Sequence, residues 1–241
     1  MHVFDLDYIE EEIFPIVTFD PLKKRWKCLG TGYFINPIGA FVTAKHLLID
    51  SDGKMEKTFY SVHKGNGKSY IRSVTTLSAH ESADVIVGML GLGRIGSEEF
   101  KPPLSKYCSL DLNPLHNGDI IHTYAFPNTQ NEDLNDSETE FTFNGISSRG
   151  KIIDFHKDGS PVVRNRCYQT NMKIDSGASG GPVFKNNYIV GINSSGFTLF
   201  GDEEPISFIT PIDYILDLKV KEKGKLITIR SLIENGYIKT K

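Results

Sequence analysis

Cysteine is scarce in this chain: Cys28, Cys108 and Cys167 are the whole complement, and they lie far apart. An odd, dispersed set supplies neither a disulfide framework nor paired thiolates for a metal, so reduced thiols in a cytoplasmic protein are the expectation. Long apolar runs are missing too. Nothing approaches the roughly 20 consecutive apolar residues of a membrane-spanning helix. The chain opens Met1-His2-Val3-Phe4-Asp5-Leu6-Asp7, with acids where a secretory leader carries Lys or Arg. No membrane partner is expected. Excess positive charge is also lacking. With 27 Lys and Arg against 30 Asp and Glu, the net charge is −3, which leaves no electrostatic footprint for nucleic acid. Internal repeats are absent, and 39% hydrophobic residues supply a packed core for one large domain or two small ones.

What is present is a succession of short β-branched and aromatic runs bounded by Gly, Pro, Asn or Asp. They include Gly32-Tyr33-Phe34-Ile35, Ala40-Phe41-Val42-Thr43, Val85-Ile86-Val87, Pro182-Val183-Phe184 and Tyr188-Ile189-Val190-Gly191-Ile192. Their length and spacing read as strands of a sandwich or barrel. Asn36-Pro37-Ile38-Gly39 and Lys185-Asn186-Asn187 fall between such runs and read as hairpin turns. Helical patterns are few: residues 7–13, 211–218 behind Pro211, and 228–235 closed by Gly236. The polar, acidic stretch 128–140 reads as a mobile surface loop. Pro102, Pro103 and Pro114 cluster near a boundary between two β parts.

The most specific stretch is Asp175-Ser176-Gly177-Ala178-Ser179-Gly180-Gly181-Pro182. A serine among glycines is sterically open, and neighbouring backbone N–H groups can converge on an oxyanion formed when it attacks a carbonyl. The alternative is a Gly/Ser-rich turn between strands. Gly177 to Gly181 also match the G-x-S-x-G elbow of α/β-hydrolases, but that fold needs its histidine after the serine, and all seven histidines precede Ser179.

Phe41-Val42-Thr43-Ala44-Lys45-His46 puts a histidine at the end of a predicted strand, where its near-neutral pKa suits proton transfer from a serine hydroxyl. Ser82-Ala83-Asp84-Val85-Ile86-Val87 puts a carboxylate at the mouth of an apolar strand, where it needs a partner. Accepting from one imidazole nitrogen would supply that partner and fix the tautomer. A half-buried structural histidine and an ordinary strand-start aspartate are the plain alternatives. His80 lies near Asp84, but no ligand-rich segment supports a metal there.

Taken in the order His46, Asp84, Ser179, these stretches resemble the trypsin-like (chymotrypsin-fold) serine peptidases, and among them the bacterial HtrA-type and glutamyl-endopeptidase-type branches. Gly30-Thr31-Gly32-Tyr33-Phe34, Val190-Gly191-Ile192-Asn193 and Ile206-Ser207-Phe208-Ile209-Thr210-Pro211 extend the likeness over roughly residues 10–220. The resemblance implies an all-β fold of two six-stranded antiparallel barrels with a C-terminal helix. Residues 1–115 would carry His46 and Asp84, residues 116–220 would carry Ser179, and 221–241 would form a tail or helix. It further implies a serine endopeptidase acting on a protein or peptide through an acyl-enzyme, without metal or cofactor. The N–H groups of Gly177 and Ser179 would form the oxyanion hole. Ser194, Ser195 and Gly196 would pair with an extended substrate, and Lys173 and Ile174 would border its side-chain pocket.

Three departures stand out. Ala178 replaces the aspartate that pairs with a freshly cut N-terminus in the digestive enzymes, so that activation switch is missing and control by a regulatory protein partner is left open. No cysteine flanks His46 or Ser179. Lys173 stands where trypsin has an acid, which disfavours cleavage after Arg or Lys. A catalytically silent pseudoprotease, an esterase on the same scaffold and a purely structural protein are the rival functions.

Overall fold

The computed structural model describes residues 11–20, 25–50, 54–55, 58–65, 68–95, 98–100, 104, 106–127, 130–135, 138–197, 204–222 and 224–241. Six strands, β1 (Ile13–Asp20), β2 (Arg25–Phe34), β3 (Ala40–Thr43), β4 (Phe59–Gly65), β5 (Lys68–Ala79) and β6 (Ile86–Leu90), close a first antiparallel barrel in the order β1-β2-β3-β6-β5-β4. A small hairpin of β7 (Gly93–Ile95) and β8 (Glu98–Phe100) follows. The second barrel draws on β9 (Ile120–Ala125), then, beyond a hairpin of β10 (Gln130–Asn135) and β11 (Glu138–Thr142), on β12 (Ile146–His156), β13 (Cys167–Thr170), β14 (Pro182–Lys185), β15 (Tyr188–Phe197) and β16 (Ile206–Pro211). It closes as β12-β13-β16-β15-β14-β9. A hairpin of β17 (Lys219–Glu222) and β18 (Lys225–Thr228) and one helix, α1 (Ile229–Glu234), complete the chain. The all-β expectation of two six-stranded barrels and a C-terminal helix holds.

The turns explain the registers. Asn36 Oδ1 accepts from the N–H groups of Ile38 and Ala40 at 3.2 and 2.9 Å, so its side chain builds the β2–β3 turn. Asn186 and Asn187 sit at φ 51° and 69°, the left-handed pair that a two-residue hairpin between β14 and β15 requires.

Three large cores and a small one, Val163, Cys167 and Phe208, are found among the described residues. Phe14, Phe34, Phe41 and Ile86 fill the first barrel, with Phe14 4.6 Å from Phe34 and 5.7 Å from Phe41 between ring centroids. Ile121, Ile152, Met172 and Ile209 fill the second. Tyr33, Val42, Val87, Leu110, Phe126 and Ile189 form a third core together with residues of α1 and the C-terminal tail. Phe41 and Val42 therefore face different cores from one strand, which is why β3 is buried along its whole length and reads as a continuous apolar run.

Three expectations change. The stretch 128–140 is not a loop: β10 and β11 pair from Gln130↔Thr142 to Asn135↔Glu138, while 128–129 and 136–137 lie outside the described residues. A two-stranded ribbon can form through backbone pairing without the apolar alternation that signals a strand in sequence. The segment behind Pro211 forms a 3-10 turn over Ile212–Ile215 in place of an α-helix. Its buried residues Ile212, Ile215 and Leu218 recur every third position, the repeat of the tighter helix. The helical segment expected over 7–13 ends early: Glu11 and Glu12 are helical, Ile13 begins β1, and residues 7–10 lie outside the described residues. Helix α1 forms as its pattern indicates, with Thr228 Oγ1 accepting from the Ser231 N–H at 3.2 Å.

Candidate active site

His46 lies in a single 3-10 turn, Lys45–Leu47, directly after β3. Asp84 lies in the loop that enters β6, and the pairing of β3 with β6, Thr43 opposite Ile86, brings the two together. The carboxylate grips the histidine at two points. Oδ2 lies 2.8 Å from His46 Nδ1 and Oδ1 accepts from the His46 backbone N–H at 3.0 Å. Facing the carboxylate, Nδ1 carries the proton, which leaves Nε2 as the free base. His80 Nδ1 accepts from the N–H groups of Ser82 and Ala83 at 3.2 and 3.0 Å and shapes the loop that bears Asp84.

Ser179 comes from the second barrel, in the tight turn before β14. Two buried threonines of the first barrel bolt this turn in place. The Thr31 N–H donates to the Ser179 carbonyl at 2.9 Å, and Thr31 Oγ1 donates to the Gly177 carbonyl at 3.1 Å. Thr43 Oγ1 in turn donates to the Thr31 carbonyl at 2.7 Å. From the second barrel, Asn193 Nδ2 donates to the Ala178 carbonyl at 3.1 Å and to Thr123 Oγ1 at 2.8 Å. Gly177 and Gly180 adopt φ +93° and +81°, open to glycine and strained for other residues. At Gly180 a Cβ would also stand 2.1 Å from Thr43 Oγ1. Among the described residues, no hydrogen bond joins Ser179 to His46.

The remaining candidates divide. Ser194, Ser195 and Gly196 lie on β15, whose pairing with β14 ends at Ile192↔Pro182 and whose Asn193 still bonds the backbone of Gly180 and Gly181, so beyond Asn193 β15 pairs on one side only, with β16, among the described residues. A cleft of about 600 Å³ is lined by His46, Asp84, Val163, Asn165, Ser194 and Ser195, among others. Ile174 is buried in the core of the second barrel. Lys173 is 60% exposed and pairs with Asp175 at 3.1 Å, so its ammonium is turned to the surface. Sequence reasoning missed the roles of Thr31, Thr43 and Asn165 and met Asn193 only within the stretch Val190-Gly191-Ile192-Asn193. Their roles rest on side-chain bonds to distant backbone, which leave no local pattern.

The family model described as Trypsin matches residues 14–219. The chain belongs to the trypsin family. The chain is 29% identical over 216 residues to a probable periplasmic serine endoprotease, DegP-like, of Rickettsia conorii. That match covers 86% of this chain and 38% of the relative, so the chain spans about two-fifths of its curated relative. Among solved structures, Deg5 superposes with a TM-score of 0.61 at 16% identity, covering 89% of each chain. The HtrA-type protease AlgW with a decapeptide gives 0.56 at 17% identity, covering 85% of this chain and 62% of that one. These likenesses establish the trypsin fold.

The relatives overturn the expectation of a cytoplasmic location, since they are named as periplasmic. The cysteines are a poor guide to compartment here. Cys108 and Cys167 are 4% and 0% exposed, and a thiol sealed in a core stays reduced wherever the protein resides.

Proposed function

We propose that this protein is a serine endopeptidase with Ser179 as nucleophile, His46 as general base and Asp84 as the orienting carboxylate. The two-point grip of Asp84 on His46 carries the reading, because it fixes the imidazole with Nε2 free to take a proton. As Ser179 Oγ attacks the peptide carbonyl carbon, its proton passes to Nε2. The carbonyl oxygen becomes an oxyanion held by the N–H groups of Gly177 and Ser179, and Asp84 stabilises the imidazolium. Collapse of the tetrahedral intermediate breaks the C–N bond, and Nε2 returns the proton to the leaving amine. Water then attacks the acyl-enzyme with His46 again as base, freeing the acid and restoring Ser179. No cofactor enters these steps.

The one-sided pairing of β15 at residues 194–196 supports substrate binding as an added strand. Beside it the backbone packs tightly, since a Cβ at Gly196 would stand 2.5 Å from the Ile174 carbonyl oxygen and 3.0 Å from Ile174 Cβ. Lys173 pairs with Asp175. We place the protein outside the cytoplasm, as its relatives are named, acting on protein or peptide substrates.

The missing Ser179–His46 hydrogen bond favours one second reading, a resting or silent protease that awaits a partner, although such bonds often tighten only when substrate binds. Incubating the purified protein with an unfolded protein substrate separates the two. Cleavage that disappears in Ser179→Ala supports the endopeptidase; intact substrate under all conditions supports the silent reading.

A further inference from the structure

Asn165 lies 81 residues from Asp84 in the chain, in the segment that leads into β13 of the second barrel. Its side chain nevertheless closes on the loop that bears the carboxylate. Oδ1 accepts from the Asp84 backbone N–H at 3.2 Å, while Nδ2 donates to the Arg166 carbonyl at 2.8 Å and to Thr210 Oγ1 at 3.1 Å. The amide cannot be turned over. The Asp84 N–H can only donate and the Arg166 carbonyl can only accept, so oxygen and nitrogen are each assigned by their partners.

The chain of contacts continues. Thr210 Oγ1 shares a 2.6 Å hydrogen bond with Ser194 Oγ, the hydroxyl of the first residue in the one-sided stretch of β15. Asn165, Thr210 and Ser194 are 6%, 0% and 5% exposed, so little water competes for these bonds. An unbroken path thus runs from the Asp84 backbone through Asn165 and Thr210 to Ser194. Both Asp84 carboxylate oxygens are committed to His46, so the carboxylate's aim depends on where its backbone is held.

We propose that Asn165 is a positioning residue. It sets Asp84, and through it the His46 imidazole, against the strand that receives substrate. The proposal deepens, and rests on, the reading of His46, Asp84 and Ser179 as a triad. Nothing in the sequence marks Asn165, because it earns its place only when the two barrels meet.

The test uses Asn165→Leu, which keeps the branched heavy-atom skeleton but cannot hydrogen-bond. If Asn165 acts through Asp84, kcat falls roughly 10- to 100-fold with KM changed less than about threefold. The same substitution in an Asp84→Asn background lowers kcat less than about threefold, because the pathway is already broken. Equal losses in both backgrounds, accompanied by a lower Tm, would assign Asn165 to barrel packing and overturn the proposal.

A second arm needs no turnover. In Ser179→Ala protein, proton NMR follows the His46 Nδ1–H resonance with and without Asn165→Leu. Loosening Asp84 weakens the Nδ1–H···Oδ2 hydrogen bond and moves that resonance upfield. An unmoved resonance overturns the positioning role. If the wild-type protein proves inert, the triad reading fails in the activity assays, while this NMR arm still decides whether Asn165 places the His46–Asp84 pair.

Discussion

Substituting Asp84 by Asn changes one atom and reverses the hydrogen-bond demand at the centre of the site. The carboxylate now accepts twice from His46, from the backbone N–H at 3.0 Å and from Nδ1 at 2.8 Å. An amide has one acceptor oxygen, so the backbone N–H claims it and the NH₂ group faces Nδ1. Nδ1 must then accept, the ring proton moves to Nε2, and the nitrogen that should take the Ser179 proton already carries one. In Ser-His-Asp enzymes this loss amounts to about 10⁴ in kcat, which corresponds to about 5.5 kcal/mol of barrel-independent transition-state stabilisation. The expected result is that drop in kcat for ester and peptide substrates, with Tm changed by only a few degrees because the geometry is kept. A loss under about tenfold in a folded protein would refute the assignment of Asp84 to the base.

Other consequences follow from single contacts. Burial lowers the pKa of His63 from the usual 6.5 to about 4, with the Arg72 charge adding to the effect and a backbone bond to Lys64 opposing it. The unfolded chain therefore binds a proton that the folded protein refuses. Stability is full above about pH 6.5 and declines towards pH 4, by roughly 3 kcal/mol in total, and urea titrations of His63→Phe should lose that slope. Gly180→Ala forces a methyl against Thr43 Oγ1 from a left-handed backbone, and should abolish cleavage while lowering Tm. Phe41→Ala removes a ring from the centre of the first barrel and should cost about 3–5 kcal/mol in chemical denaturation.

Much of the proposed site was legible because its chemistry is crowded into short stretches. Ser179 is announced by its glycines, and His46 and Asp84 each sit at the edge of an apolar strand, so residue type and strand pattern agree. The barrels were legible for the same reason: apolar runs such as that at Ala40 to Thr43 are punctuated by turn residues. What stayed hidden depends on strands meeting at long range. Thr31 and Thr43 look like ordinary strand threonines until Ser179 docks against them, and Asn165 looks like a loop residue until Asp84 lies beside it. The β10–β11 hairpin escaped because its polar sequence carries no apolar alternation. Lys173 misled in the other direction, since chain position suggested a place at the pocket while Asp175 draws its ammonium to the surface.

The most direct measurement is reaction of the purified protein with a fluorophosphonate, read by intact mass and by mapping the modified peptide. The account predicts one adduct per chain on Ser179, lost in Ser179→Ala and strongly slowed in His46→Ala. An adduct on another residue, or equal labelling after His46 is removed, would contradict it.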